Sequence, residues 1–237
     1  MCKNTHIEGG LGIFFYKNAT VGGDWIIQKR LRNAEWLTRL LPPDAPLSTM
    51  RVITKSDGYI AMTQYSRYVT VLRSRYIAQA EGTVKAVSSV LRLGRSGAMT
   101  DHSSVLFNVD LATGKVGQGV TNSHWYRLGM SAMHCPWLPG PPIDTHPDPP
   151  FPQVAGTIIP DFASAIELVT QAHLKMMRNV PLVGWDVAFT SEGVFVLEVN
   201  LSCNFFCADF DTADYLAFVA NYFRAIEKEE DKKPKQD

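Results

Sequence analysis

Residues 182–200 hold three side chains whose types and spacing could do chemistry. The run Gly184-Trp185-Asp186-Val187-Ala188-Phe189-Thr190 is followed by Ser191-Glu192-Gly193, then by Val194-Phe195-Val196-Leu197-Glu198-Val199-Asn200. A three-residue hairpin loop with a left-handed Gly193 sets Thr190 opposite Val194, and counting back sets Asp186 opposite Glu198. Side-chain alternation then keeps Asn200 on the face of Glu198. Directly opposed β-carbons lie roughly 5 Å apart. Two carboxylates that close repel, and burying them unpaired costs more, unless a divalent cation bridges them. Asp, Glu and an amide oxygen form a hard oxygen set of the kind magnesium takes while keeping waters and substrate phosphates as its other ligands. The same two acids also fit a solvent-facing pair on an exposed sheet face, or the acid pair of a glycosidase. Valines and phenylalanines on both faces count against the first. Asn200, with the phosphate-binding candidates below, counts against the second.

The chain starts glycine-rich, with Gly9, Gly10 and Gly12 in Glu8-Gly9-Gly10-Leu11-Gly12. Backbone amides of such a run approach phosphate oxygens closely, and an ordinary turn has the same composition. Cys203 and Cys207 would suit a metal only if two further ligands converged on them, and Cys2 and Cys135 add no finger-like spacing. His134 and Cys135 are adjacent, so on a strand they point to opposite sides and form no nucleophile–base pair. His102 beside Asp101 reads as a loop histidine.

The elements that must position these groups follow from pattern. Residues 25–28 read as a short buried strand. Residues 33–41 read as a short helix with Asn33 as N-cap, ended by Pro42-Pro43. Residues 50–54 read as a strand, followed by an Asp57-Gly58 turn and a return strand at 59–62. Residues 84–93, 105–109 and 115–121 read as further strands of antiparallel character. The proline-rich stretch 135–160 reads as a long surface connection. Asp161 should cap a helix to about residue 178, with Phe162, Ile166, Val169, His173 and Met176 or Met177 on its apolar stripe. His173 on that stripe reads as a packed core residue. Strands at 182–190 and 194–200 precede a last helix at 212–228, striped by Tyr215, Phe218, Val219, Tyr222, Phe223 and Ile226.

Composition narrows the function classes. Hydrophobic residues at 46% and charged residues at 19% fit a globular core rather than disorder. Lysine plus arginine and aspartate plus glutamate balance at 23 each, which disfavours nucleic acid as main partner. The first ten residues lack a signal-peptide pattern, and no run approaches the ~18 apolar residues of a membrane helix, so no membrane partner and a cytoplasmic location are expected.

The Asp, then about a dozen residues, then Glu-x-Asn of residues 186–200 is similar to the metal-binding signature of ATP-grasp ligases. Gly184-Trp185-Asp186-Val187-Ala188 with Leu197-Glu198-Val199-Asn200 looks like the alpha-L-glutamate-ligase-related, sugar-transfer-associated ATP-grasp branch. Residues 25–31 resemble that superfamily's adenine strand and hinge. Ser48-Thr49-Met50-Arg51-Val52-Ile53-Thr54 resembles the branch's Thr-x-Arg-Val-x-Thr strand, and Leu91-Arg92-Leu93-Gly94-Arg95 followed by Asp101 its arginine-bearing strand and loop. The resemblance implies an α+β fold, with an antiparallel sheet carrying the nucleotide site and helices packed outside. It implies ATP and Mg2+ as cofactors, with Asp186, Glu198 and Asn200 on the metal. Ile27, Gln28, Lys29 and Leu31 would line the adenine pocket, while Lys3, Gly9, Gly10, Gly12 and Asn204 would serve the phosphates. Arg92, Arg51 and Arg95 would neutralise the charge that develops on a transferring phosphoryl group. The implied reaction is ADP-forming ligation of a small-molecule or peptide carboxylate through an acyl phosphate. A non-catalytic nucleotide-binding module and a phosphotransferase to a hydroxyl are the alternatives. Residues 1–45 would be a partial small lobe, 46–228 the catalytic lobe and 229–237 a disordered tail. The family's usual lobe before the glycine loop is expected to be absent, as in a fragment, a partial gene product or a degenerate protein.

Overall fold

The computed structural model describes residues 2–4, 13–14, 25–59, 83–101, 104–121, 141–201, 203–206 and 208–230, with side chains described for those from 28 to 228. Three short strands, β1 (Cys2–Asn4), β2 (Ile13–Phe14) and β3 (Trp25–Ile27), form a small sheet ordered β2-β1-β3, with both pairings antiparallel. The glycines 9, 10 and 12 fall between β1 and β2 in sequence and lie outside the described residues, as do residues 60–82, 122–140, His102 and Cys207.

The larger sheet comprises β4 (Thr49–Ser56), β5 (Val84–Leu93), β6 (Val105–Val109), β7 (Val116–Thr121), β8 (Leu182–Thr190) and β9 (Gly193–Asn200). Its order among the described residues is β7-β6-β5-β4-β8-β9, antiparallel throughout. Alternation divides its side chains into two layers. Met50, Val52, Leu91, Leu93, Val105, Phe107, Val183, Trp185, Val187 and Phe189 face the main core. There they meet Leu37 in or just after α1 (Glu35–Thr38), together with Leu40 and Leu41, and Phe162, Ala165 and Val169 of α2 (Phe162–Met176). The opposite face carries Arg51, Arg92 and Asp186 at its centre, with a small apolar cluster of Val90, Leu106 and Ala208 beside them. On this face Phe206 covers Arg51 and Arg92 and Asp209 N–H donates to Asn108, and α3 (Thr212–Glu230) follows with its buried Phe218 against Lys55. The α+β architecture implied by the resemblance is the one observed.

A buried polar chain ties α2 to the sheet. His173 is fully buried, with Nδ1 2.7 Å from Thr54 Oγ1 and Nε2 2.9 Å from the Val180 carbonyl. The carbonyl can only accept, so Nε2 carries the proton and Nδ1 accepts from Thr54, whose oxygen accepts in turn from Trp185 Nε1–H at 2.8 Å. His173 is thus the packed core residue that its place on the stripe suggested. On the same stripe it is Met177 that packs on the core, while Met176 is exposed.

Four local expectations need correction. Asn33 does not cap α1: it bridges Thr190, its amide donates to the Pro46 carbonyl and its oxygen accepts from Ser48 N–H. Asp161 precedes α2 in the left-handed conformation and makes no side-chain cap. The edges of β4 are taken by β5 and β8 rather than by the return strand expected at 59–62, of which only Tyr59, outside any strand, falls within the described residues. Within the proline-rich stretch, residues 141–160 are not a loose surface connection. They run along the outer edge of β7 through bridges at Gly119–Ile143 and Lys115–Ile158, and they bury Val154, Ile159 and His146. A sheet edge left bare would invite pairing with other chains, and this segment covers it.

Candidate functional site

Register sets the site. Across neighbouring strands Glu198 of β9 pairs with Asp186 of β8, which pairs with Arg51 of β4, and Asn200 pairs with Gly184 one step along the same face. Strands lie ~4.8 Å apart, so the three ionised side chains form a row across the sheet. Gly184 makes the row possible. A β-carbon there would stand 3.1 Å from Arg51 Nη1 and 3.3 Å from Ile53 Cδ1, so the absent side chain leaves room for the guanidinium.

The hairpin reaches the expected pairing by a different route. Thr190 pairs with Gly193, leaving a two-residue turn at Ser191-Glu192, and Val187 pairs with Val196. A bulge then places both Leu197 and Glu198 against Asp186. The extra residue in β9 offsets the shorter turn, so Asp186 and Glu198 face each other as the longer loop also required. Gly193 takes φ +120°, a conformation side-chain-bearing residues rarely adopt.

Two arginines close on Asp186. Arg51 Nε donates to its Oδ1 at 2.5 Å and Arg92 Nη1 to its Oδ2 at 3.2 Å. Arg92 Nη2 also donates to Asp101 Oδ1 at 3.2 Å, and the Thr49 hydroxyl donates to the other oxygen of Asp101. The side chains of Arg51, Arg92, Asp186 and Asp101 are only 7%, 10%, 13% and 15% exposed, so these ion pairs are poorly screened by water. Burial pushes the Asp101 carboxyl above its ordinary range, against the opposing pull of Arg92 and Thr49. The Phe206 ring covers both guanidiniums, with its centroid 4.9 Å from Arg51 Cζ and 5.1 Å from Arg92 Cζ. Phe206 adopts φ +52°, and its N–H is held by Asn204 Oδ1 at 2.9 Å. Arg92 Nε is buried with no hydrogen-bond partner among the described residues. Burial likewise raises the Cys203 thiol, against the pull of Arg51.

The repulsion argued from sequence between Asp186 and Glu198 is answered here by guanidinium, since both Asp186 oxygens are engaged by arginine. The fit of magnesium therefore turns on Glu198 and Asn200. In the hydrogen-bonded orientation of its amide, Asn200 donates to Glu198 Oε1 at 3.0 Å and accepts from Arg51 Nη2 at 3.3 Å. Turned over, the amide would set two oxygens side by side at that same 3.0 Å separation. Adjacent ligands of an octahedral magnesium with bonds of about 2.1 Å are about 3 Å apart. Glu198 and Asn200 thus fit one edge of such a shell. No cluster of three or more histidines, cysteines, aspartates or glutamates suited to a metal occurs among the described residues.

Several other expected site residues have partners of their own. Arg95 makes a two-pronged pair with Asp148 of the 141–160 segment, at 2.8 and 2.6 Å, and shares no bond with Asp186. Lys29 pairs with Glu192 at the tip of the β8–β9 turn at 2.7 Å. Lys3 lies on β1, paired with Ile13 and Ile26, and Ile27 lies on β3. Gln28 and Leu31 follow β3 on the way to α1. Asn204 spends its oxygen on the turn that seats Phe206. Sequence reasoning missed Phe206 and Thr49. No spacing flags an aromatic in an irregular segment, and Thr49 meets Arg92 through a pairing of β4 with β5 that spans more than forty residues of chain, which the sequence pattern does not announce.

A family model described as sugar-transfer associated ATP-grasp matches residues 60–211, which take in Arg92, Asp101, Asp186, Glu198, Asn200 and Phe206. No curated protein and no solved structure matches the chain.

Proposed function

The chain belongs to the sugar-transfer-associated ATP-grasp family, and from that premise we propose that it binds ATP with magnesium on the Arg51–Arg92 face of its larger sheet and uses it for ADP-forming ligation of a carboxylate to an amine or related nucleophile. The observation that carries this reading is the convergence of two buried guanidiniums on Asp186, beside Glu198 and Asn200. Paired arginines on a dry face stabilise phosphate oxygens far better than they would in water.

Glu198 and Asn200, with Asp186 once it leaves the arginines, would hold the metal, which supplies charge neutralisation on the phosphates when bound. Arg92 and Arg51 would bind the γ-phosphate oxygens, with Arg95 nearby on the same loop as Asp101. Lys3 and the glycines 9, 10 and 12 would cover the phosphates, Asn204 would support them, and Ile27, Gln28, Lys29 and Leu31 would hold the adenine. An oxygen of the substrate carboxylate attacks the γ-phosphorus as the bond to ADP breaks. The amine then attacks the acyl carbon, inorganic phosphate leaves, and the nitrogen loses a proton. Phe206 over the arginines excludes water from the first step, which otherwise would hydrolyse ATP.

Thermal unfolding tests the binding half of this reading. Saturating ATP with magnesium should raise Tm by about 5–10 °C, the size expected for ligand near a hundred times Kd in a chain of this length. Glu198→Gln and Asp186→Asn should each abolish most of the shift. Equal shifts in all three proteins would remove the site assignment. ADP release with candidate carboxylates and amines separates a ligase from a binding module, and a stable phosphorylated product would instead indicate transfer to a hydroxyl.

A further inference from the structure

Arg92 is gripped at two places by carboxylates that differ in every other respect. Asp186 shares its oxygens between Arg92 and Arg51 and stands beside the Glu198–Asn200 pair. Among the described arginines Asp101 pairs with Arg92 alone, and its second oxygen is fixed by the hydroxyl of Thr49, the residue registered directly across from Arg92 on β4. Its burial opposes any exchange of partner with water.

On the nucleotide reading given above, we propose that Asp101 is the positioning residue of Arg92. Asp186 is the exchangeable partner, giving up Nη1 when a phosphate arrives. Asp101, braced by Thr49, keeps Nη2 and so holds the guanidinium plane aimed at the anion under the Phe206 ring. A guanidinium held at one edge presents its remaining donors without losing side-chain freedom on binding. Arg92 Nε is buried and has no hydrogen-bond partner among the described residues.

The two effects Asp101 could have on an anion carry opposite signs. As a nearby negative charge it weakens phosphate binding, so its removal strengthens it. As a brace for Arg92 it strengthens binding, so its removal weakens it. Titration calorimetry of the full chain with ATP and magnesium should show Asp101→Asn weakening binding about tenfold, the scale of one charge-assisted hydrogen bond. In an Arg92→Lys background the same change should cost little more, because the group it positions is gone. Should Asp101→Asn not fold, Thr49→Val removes only the brace and should weaken ATP binding in the same direction, again only when Arg92 is present. Unchanged or tighter binding by these variants, or losses that multiply with Arg92→Lys, would overturn the proposal. Failure of the wild-type chain to bind ATP would instead remove the nucleotide reading, and this role with it.

Discussion

Single side chains of this protein carry unequal shares of its stability, and Thr54 shows why. Its hydroxyl receives the Trp185 indole N–H and serves the His173 imidazole, all three being buried. Thr54→Val keeps the shape and deletes the hydroxyl, leaving a donor and an acceptor unpaired in the core. The expected loss is about 2–4 kcal/mol, read as a lower urea midpoint at unchanged slope. Thr54→Ser keeps the hydroxyl and should lose less than about 1.5 kcal/mol. A valine variant as stable as the serine variant would show that the network contributes nothing. The residue scale is also where sequence reading was strongest for types and weakest for partners. Asp186, Glu198 and Asn200 were legible because strand alternation places them on one face. That Asp186 would be neutralised by two arginines was not, because Arg51 and Arg92 come from strands far away in sequence. The ring over both guanidiniums comes from Phe206, whose left-handed backbone no pattern announces.

At the scale of elements, apolar periodicity gave β5, β6 and β8 with their observed bounds, because each is buried on a long continuous face. Ends and connections were less legible. Asn33 has cap chemistry but is drawn into pairing with Thr190, and prolines marked 141–160 as irregular without indicating that His146 would be buried there against Gly94. In β9 a two-residue turn and a bulge together mimic the longer loop. Deleting Leu197 would straighten β9 while leaving Glu198 across from Asp186 in count, since the deletion removes the surplus residue alone. If the bulge sets the aim of Glu198, this variant should keep its fold by circular dichroism yet lose most of the ATP–magnesium rise in Tm. A full rise would mean that the bulge has no part in the site.

For the molecule as a whole, two buried imidazoles among the described residues respond to acid. His173 and His146 are both held below the ordinary histidine range, chiefly by burial. His146 also feels Asp148, which raises it, and Arg95, which lowers it. In the unfolded chain each takes a proton near pH ~6.5. The folded state resists until lower pH, so unfolding gains protons in that interval. Stability from these two residues is therefore complete above about pH 6.5 and declines as pH falls toward their depressed native values. Asp101, raised by burial, acts in the opposite sense, since its cost to the folded state lessens as it takes up a proton. Tm should fall between pH 7.5 and about 5.5, and the fall should be shallower in His173→Gln. An equally steep fall in His173→Gln would show that this imidazole is not held neutral by the fold.

The two borders of the larger sheet are treated differently. The strand β7 is flanked by residues 141–160, whereas β9 has a neighbour only on its β8 side among the described residues. Phe195 and Leu197 on β9 are 38% and 42% exposed, which is the composition of a strand prone to stack against a second copy of itself. A kinked border cannot present an unbroken row of amides and carbonyls to an incoming strand. The distortion at Leu197 therefore sets a limit on redesign: a change that flattens β9 while keeping its exposed apolar residues favours edge-to-edge self-association.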